Sequence, residues 1–260
     1  MRILLTNDDG VFAPGIMALH AELMRLGDVD VVAPAQVQSG GSHAITIRHP
    51  VLWRPVNVNG KFRGTAVEGT PADCVKLAFG ALLPQRPQLV VSGINAGLNT
   101  GIHVLYSGTV AAAIEGAILG CPAVAVSLQL YRDMDFSGAA KLAVELIQRL
   151  VDHGIPPRHV WNINIPELKP GWPRGVRVAR QSVQAPADRL EERTDPNGGA
   201  YYWLSGDLGS EDESAPTDLH SVREGFVCLT PLHFDMTNDV TLAAVAEENW
   251  ILASAPANPA

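Results

Sequence analysis

Asp8 and Asp9 stand side by side at the end of the first apolar run, in Thr6-Asn7-Asp8-Asp9-Gly10. Adjacent carboxylates at a strand end repel each other, a cost that only a cation or hydrogen-bond donors offset. Oxygen-rich, sulfur-free surroundings suit a hard divalent ion such as Mg²⁺ or Mn²⁺. Asn, Asp and Gly are also turn formers, so the pentad taken alone reads equally as a polar turn.

Two further loops carry groups that bind anions. Ala33-Pro34 leads into Gln36-Val37-Gln38-Ser39-Gly40-Gly41-Ser42-His43, whose glycines and hydroxyls offer backbone N–H and Ser oxygen to a ligand. Ser92-Gly93-Ile94-Asn95 is followed by glycines at 97, 101 and 108, and then by Tyr106-Ser107-Gly108-Thr109-Val110 at the start of a helical pattern. The free N–H groups and dipole of a helix start favour an anion there. The chain has no Gly-Lys-Ser/Thr P-loop, and its glycines are wrongly spaced for a dinucleotide fingerprint. Acidic ligands after one strand and an anion-binding helix start after another point to metal-assisted handling of a phosphate. The eight histidines receive no catalytic role; His43 and His103 lie in these loops, His20 and His153 on helical segments.

The elements that must position these residues alternate. Apolar runs at 3–6, 29–33, 89–92, 123–127 and 160–165 read as strands buried on both faces, and segments 15–26, 71–81, 108–119 and 137–151 have helical length. This alternation predicts a Rossmann-like, mainly parallel α/β sheet with helices on both faces, whose ligand site lies beyond the carboxyl ends of the strands. Thr70-Pro71-Ala72-Asp73 places a capping hydroxyl, a first-turn proline and an acid at the second helix start. Residues 51–67 read as a hairpin turning at Asn59-Gly60. Three regions are expected: a catalytic core over 1–165, a β-rich appendage over 166–216 whose strand edges serve oligomerisation, and a return to the core with a terminal helix near 240–252 over 217–260.

Composition bounds the function. The 260 residues are 47% hydrophobic and carry 19 basic against 27 acidic side chains, a net charge of −8. That excludes disordered and disulfide-scaffold classes and argues against nucleic-acid polymers or anionic membranes as partners. Four of the acids, Asp207, Glu211, Asp212 and Glu213, fall in one stretch without a base, expected as a solvated loop. Cys74, Cys121 and Cys228 are unpaired in spacing, which predicts buried thiols in a reducing, cytoplasmic compartment. The opening residues lack a signal-peptide pattern, and residues 110–130 are broken by Gly120-Cys121-Pro122, so they read as a helix and a strand rather than a membrane span.

The motifs, in order, resemble the SurE (survival protein E) family of metal-dependent nucleotide phosphatases. The match runs through residues 1–10, Ala33-Pro34, Ser39-Gly40, Gly69-Thr70-Pro71-Ala72-Asp73-Cys74-Val75 and Val91-Ser92-Gly93-Ile94-Asn95. It continues through residues 106–113, Asn162-Ile163-Asn164-Ile165-Pro166, Thr230-Pro231-Leu232 and Asp235-Met236-Thr237. The resemblance implies hydrolysis of nucleoside 5′-monophosphates by a homodimer or homotetramer with one Mg²⁺ or Mn²⁺ per subunit. It implies Asp8, Asp9, Ser39 and Asn95 as metal ligands, Ser107, Gly108, Thr109 and Asn95 as phosphate contacts, and Asp8, Asn95 and Ser107 as the catalytic set. No family motif covers 181–214. Whether water or an aspartate attacks phosphorus stays open. A haloacid-dehalogenase-like phosphatase is disfavoured because its acids are separated by one residue. A receiver-like, non-catalytic nucleotide or phosphate sensor carries adjacent acids but is about half this length.

Overall fold

A computed structural model describes residues 1–184, 187–207, 216–248 and 250. The chain runs β1 (Arg2–Thr6), α1 (Pro14–Leu23), β2 (Asp28–Pro34), β3 (Leu52–Val58), β4 (Phe62–Glu68) and α2 (Pro71–Leu77). Then come β5 (Leu89–Ala96), α3 (Gly108–Ile118), β6 (Ala123–Leu128), α4 (Phe136–His153) and β7 (Val160–Ile165). The chain continues with β8 (Val176–Val178), β9 (Ala187–Thr194), β10 (Ala200–Asp207), α5 (Asp218–Arg223), β11 (Val227–Leu232) and α6 (Asp239–Val245).

Nine strands form one sheet in the order β3-β4-β2-β1-β5-β6-β7-β11-β8. Its centre, β2-β1-β5-β6-β7, is parallel throughout. Alternate residues of β1 divide between two cores: Ile3 and Leu5 pack with α1 and α4, Leu4 with α2 and α3. The sheet is therefore covered on both faces, as the unbroken apolar strands require. Close approach of α3 depends on small residues; a Cβ at Gly116 would lie 2.7 Å from Val90 Cγ2. From β1 the chain crosses to β2 on one side, and β5 lies on the other. Strand order thus reverses between β1 and β5, and the crevice at such a reversal is where open α/β sheets bind ligands.

Several boundaries differ from expectation for local reasons. The first helix stops at Leu23, and the chain turns through Gly27, where a Cβ would sit 1.9 Å from the Met1 carbonyl oxygen. The second begins with the expected capping box, Thr70 and Asp73 exchanging side chain-to-backbone bonds of 2.9 and 3.1 Å. It ends at Leu77 and passes into a π-helical turn, Ala78–Leu82. The fifth strand runs on to Ala96, past the expected end at Ser92, because a register shift between Ser92 and Asn95 lets it re-pair with Ser127 and Leu128. Gly93 makes this possible: its φ is +136°, and a Cβ there would lie 2.3 Å from the Val126 carbonyl oxygen.

The hairpin β3–β4 turns at Asn59 and Gly60, both with positive φ (51° and 70°), as their types predict. Within the segment expected as appendage, Val176–Val178 adds to the main sheet beside β11. Only β9 and β10 form a separate antiparallel pair. The terminal helix covers Asp239–Val245, capped by the Asn238 side chain; residues 249 and 251–260 of the expected helix and tail lie outside the described residues. So do residues 208–215 of the acidic stretch. All three cysteines are free and buried. Among the described residues no helix is long and apolar enough to cross a membrane.

Candidate active site

Asp8 leaves β1 at the strand reversal and is 4% exposed. The Thr109 hydroxyl donates a hydrogen bond to Asp8 Oδ1, so the first turn of α3 is fastened to the carboxylate. A Cβ at Gly108 would sit 2.8 Å from Asp8 Cβ, and only glycine allows this approach. On the other side, the Gln38 amide donates to the Asp8 carbonyl at 2.8 Å, which brings the Ser39 loop against the same residue. Asp9 Oδ2 accepts from the Ala96 amide at 3.1 Å, joining the end of β1 to the end of β5. Asn95, half-buried on the re-paired end of β5, donates from Nδ2 to the Gly97 carbonyl at 2.8 Å. That bond orients the amide and leaves Oδ1 as the group available to a cation.

Asp8, Asp9, Asn95 and the Ser39 loop thus converge from three strands on the amino end of α3. Ser107 caps this helix, its Oγ accepting from the Val110 amide at 3.1 Å. Thr109 is fastened to Asp8 through its hydroxyl, which leaves Ser107 and the Gly108 N–H as the groups at the helix start not committed to a carboxylate.

The electrostatics match a cation site. Burial raises the Asp8 carboxyl above the ordinary range; the Thr109 hydrogen bond opposes this and the Asp9 charge adds to it. Burial likewise raises Asp9, against the Ala96 amide. Neither shift has a basic side chain among its causes. No group of three or more His, Cys, Asp or Glu that could hold a metal occurs among the described residues. Two adjacent carboxylates, with an amide on β5 and a hydroxyl on the loop that follows β2, are hard oxygen donors of the kind that suit a divalent cation such as Mg²⁺ or Mn²⁺.

Reading the sequence missed the scaffold beneath this site. The Asn99 carbonyl accepts from Asn162 Nδ2 (2.7 Å) and Asn164 Nδ2 (3.1 Å). The Asn99 amide donates to Asn164 Oδ1 (2.9 Å), and its side chain to Ser127 Oγ (2.8 Å). Asp218, fully buried, accepts from the backbone amides of Gly101, Ser182 and Leu219 at 2.8–2.9 Å. These bonds hold residues 97–101 between Asn95 and Ser107. The available signal was Asn162 and Asn164, two amides at period two on one face of a buried strand, where polar side chains need partners.

A further buried carboxylate ties the site loops together. Glu115 on α3 has a side chain 3% exposed and bonds His43 Nε2 at 2.8 Å and Lys76 Nζ at 2.7 Å. Burial tends to raise its pKa, but the bonds from His43 and Lys76 outweigh this and hold the carboxyl below its ordinary value. Ser42 adds two bonds, to the Leu105 and Tyr106 carbonyls, so the loop bearing Ser39 is strapped across the α3 entrance. His103 meets the Tyr106 ring edge at 6.4 Å between centroids, and His20 stacks on Phe62 at 4.2 Å.

Known proteins match this chain over most of its length. The family model described as Survival protein SurE matches residues 3–188. A protein from Nitratidesulfovibrio vulgaris named 5′-nucleotidase SurE is 47% identical over 247 residues, 95% of this chain and 98% of its own length. Another of that name from Syntrophobacter fumaroxidans is 44% identical over 238 residues, covering 92% of this chain and 95% of its own length. The crystal structure of the SurE protein from Aquifex aeolicus superposes with a TM-score of 0.82 at 39% identity, covering 94% of this chain and 98% of the other. A match to these relatives over more than nine tenths of the chain, with the adjacent acids set at the strand reversal, leads to one conclusion: the chain belongs to the SurE family.

Proposed function

We propose that this chain is a 5′-nucleotidase, hydrolysing nucleoside 5′-monophosphates to nucleoside and phosphate with one divalent cation, Mg²⁺ or Mn²⁺, held by Asp8, Asp9, Ser39 and Asn95. The observation that carries it is the pair of adjacent carboxylates, Asp8 buried against the amino end of α3 and Asp9 half-buried against the end of β5, neither with a basic side chain among its electrostatic partners, supported by the activity named for the relatives. A divalent cation bound there supplies Lewis acidity, offsetting phosphoryl charge and acidifying water. The protein's part is placement. Thr109 fixes Asp8, the Ala96 amide fixes Asp9, and the Gly97 carbonyl turns the Asn95 oxygen outward. Ser107 and the Gly108 N–H add donors and the helix dipole where negative charge grows in the transition state.

The exposed apolar residues of β10 and α6, Tyr202, Trp203, Val240 and Leu242 among them, support assembly into a homodimer or homotetramer. A reducing cytoplasm suits the three free thiols.

The test is inorganic phosphate release from AMP and GMP with Mn²⁺ or Mg²⁺. Release that disappears with chelator is the expected result. Absence of release from every nucleoside 5′-monophosphate overturns the enzymatic reading in favour of a non-catalytic sensor. The stereochemical course at a chiral phosphorus separates the two attack routes: inversion marks a single attack by water, and retention marks two displacements through an aspartyl-phosphate.

A further inference from the structure

We propose that the cavity of about 620 Å³ beside Ser107 receives the nucleobase of the substrate, an assignment that rests on the phosphatase reading above. Ser107 lines this cavity and also caps α3, so the cavity borders the helix start assigned to the phosphate. A monoester held at its phosphate there extends its remainder into the cavity.

The walls suit a flat aromatic heterocycle. Val104 and Leu105 come from the 3₁₀ turn before α3, Ile114 from α3 itself, and Leu232 and Met236 from β11 and the segment after it. Leu105 and Met236 are exposed apolar side chains (45% and 80%) for which packing within the chain gives no reason. The volume falls in the range of small-molecule sites, which are mostly apolar with a few fixed polar groups.

Those polar groups are fixed in advance. Ser42 is held by the Leu105 carbonyl, Gln181 by the Gly101 carbonyl and His43 by Glu115. A carboxylate only accepts, so His43 Nε2 donates to Glu115 and the ring is fixed in place. The Gln181 amide donates to Gly101 and the Ser42 hydroxyl to Leu105, so both keep oxygen acceptors that complement the exocyclic amine of a base. Because these side chains are already immobilised, little ordering cost attends binding.

A second cavity, about 490 Å³, lies on the other flank of the Ser39 loop and supplies the control. Gln36, Arg54, Glu68 and Thr70 make it polar, and it includes none of the α3 entrance residues.

The experiment compares AMP with ribose 5-phosphate, the same phosphoester without a base, on the full chain with Mn²⁺. For Leu105→Ala and for Met236→Ala, KM for AMP is expected to rise about tenfold with kcat near that of the unmodified chain. KM for ribose 5-phosphate stays within about twofold for both variants, and Arg54→Ala changes neither substrate, since no base contact is lost. Equal changes on the two substrates overturn the assignment. So do an unchanged KM for AMP and a selective loss from Arg54→Ala. If the unmodified chain releases phosphate from neither compound, the phosphatase reading itself fails and takes this one with it.

Discussion

Two buried acidic sites lie within one α3 length of each other, and they are built in opposite ways. Glu115, toward the far end of the helix, has a basic partner on each carboxylate oxygen and is held below its ordinary pKa. Asp8 and Asp9, at the near end, have hydroxyl and amide donors but no base, and burial holds both carboxyls above theirs. A buried charge without a counter-charge is costly, and a fold that sets a buried and a half-buried carboxylate side by side without a base is consistent with the proposed cation supplying the compensating charge. In the proposed function the first site serves structure and the second the reaction, although Glu115 lies on α3 and Asp8 packs against its start.

The strongest way to break this contrast is Asp8→Asn. It is expected to lower kcat for AMP by about 10³-fold or more, as loss of transition-state charge stabilisation does. The metal-free protein keeps its fold by circular dichroism. Glu115→Gln is expected to do the reverse: about 2 kcal/mol of stability lost in urea unfolding, the scale for hydrogen bonds to a charged group, with kcat less affected than in Asp8→Asn. Its pH dependence has a definite sign. Because the folded-state pKa of Glu115 is depressed, its contribution is present above the ordinary glutamate value and fades as pH falls through the folded value. Acid unfolding of Glu115→Gln therefore loses that part of its pH dependence.

Asp9→Asn sharpens the contrast further. The pKa of Asp9 is raised in the fold, so its charged form costs stability at neutral pH, and the amide relieves it. In chelator, Tm of Asp9→Asn is expected to exceed that of the unmodified chain, and the Tm rise on adding Mn²⁺ is lost. The smallest effect belongs to His103→Ala. Its ring rests against Tyr106 and bonds no site residue, so turnover on AMP should stay within about tenfold, less than a general acid typically contributes.

What could be read from the sequence was local. Asp8, Asp9 and Gly108-Thr109 declare themselves because strand, turn and cap signals span a few residues each, and the parallel sheet follows from alternating apolar runs. The extension of β5 through Asn95 was not legible, since it depends on the Gly93 backbone meeting Val126 on a neighbouring strand. Nor was the anchoring of residues 97–101, whose partners Asn162, Asn164 and Asp218 lie 63 to 117 positions away in sequence. His43 reads from the sequence as a residue of the Ser39 loop, but its pairing with Glu115, 72 residues on, exists only once α3 is packed against that loop.

The central claim is that the unpaired acids exist to hold one divalent cation. Calorimetric titration of Mn²⁺ into chelator-treated protein tests it most directly. The expected result is one ion bound per chain, with binding abolished in the Asp8→Asn/Asp9→Asn double variant and retained in Glu115→Gln. Equal Mn²⁺ binding by the unmodified chain and the double variant would contradict it.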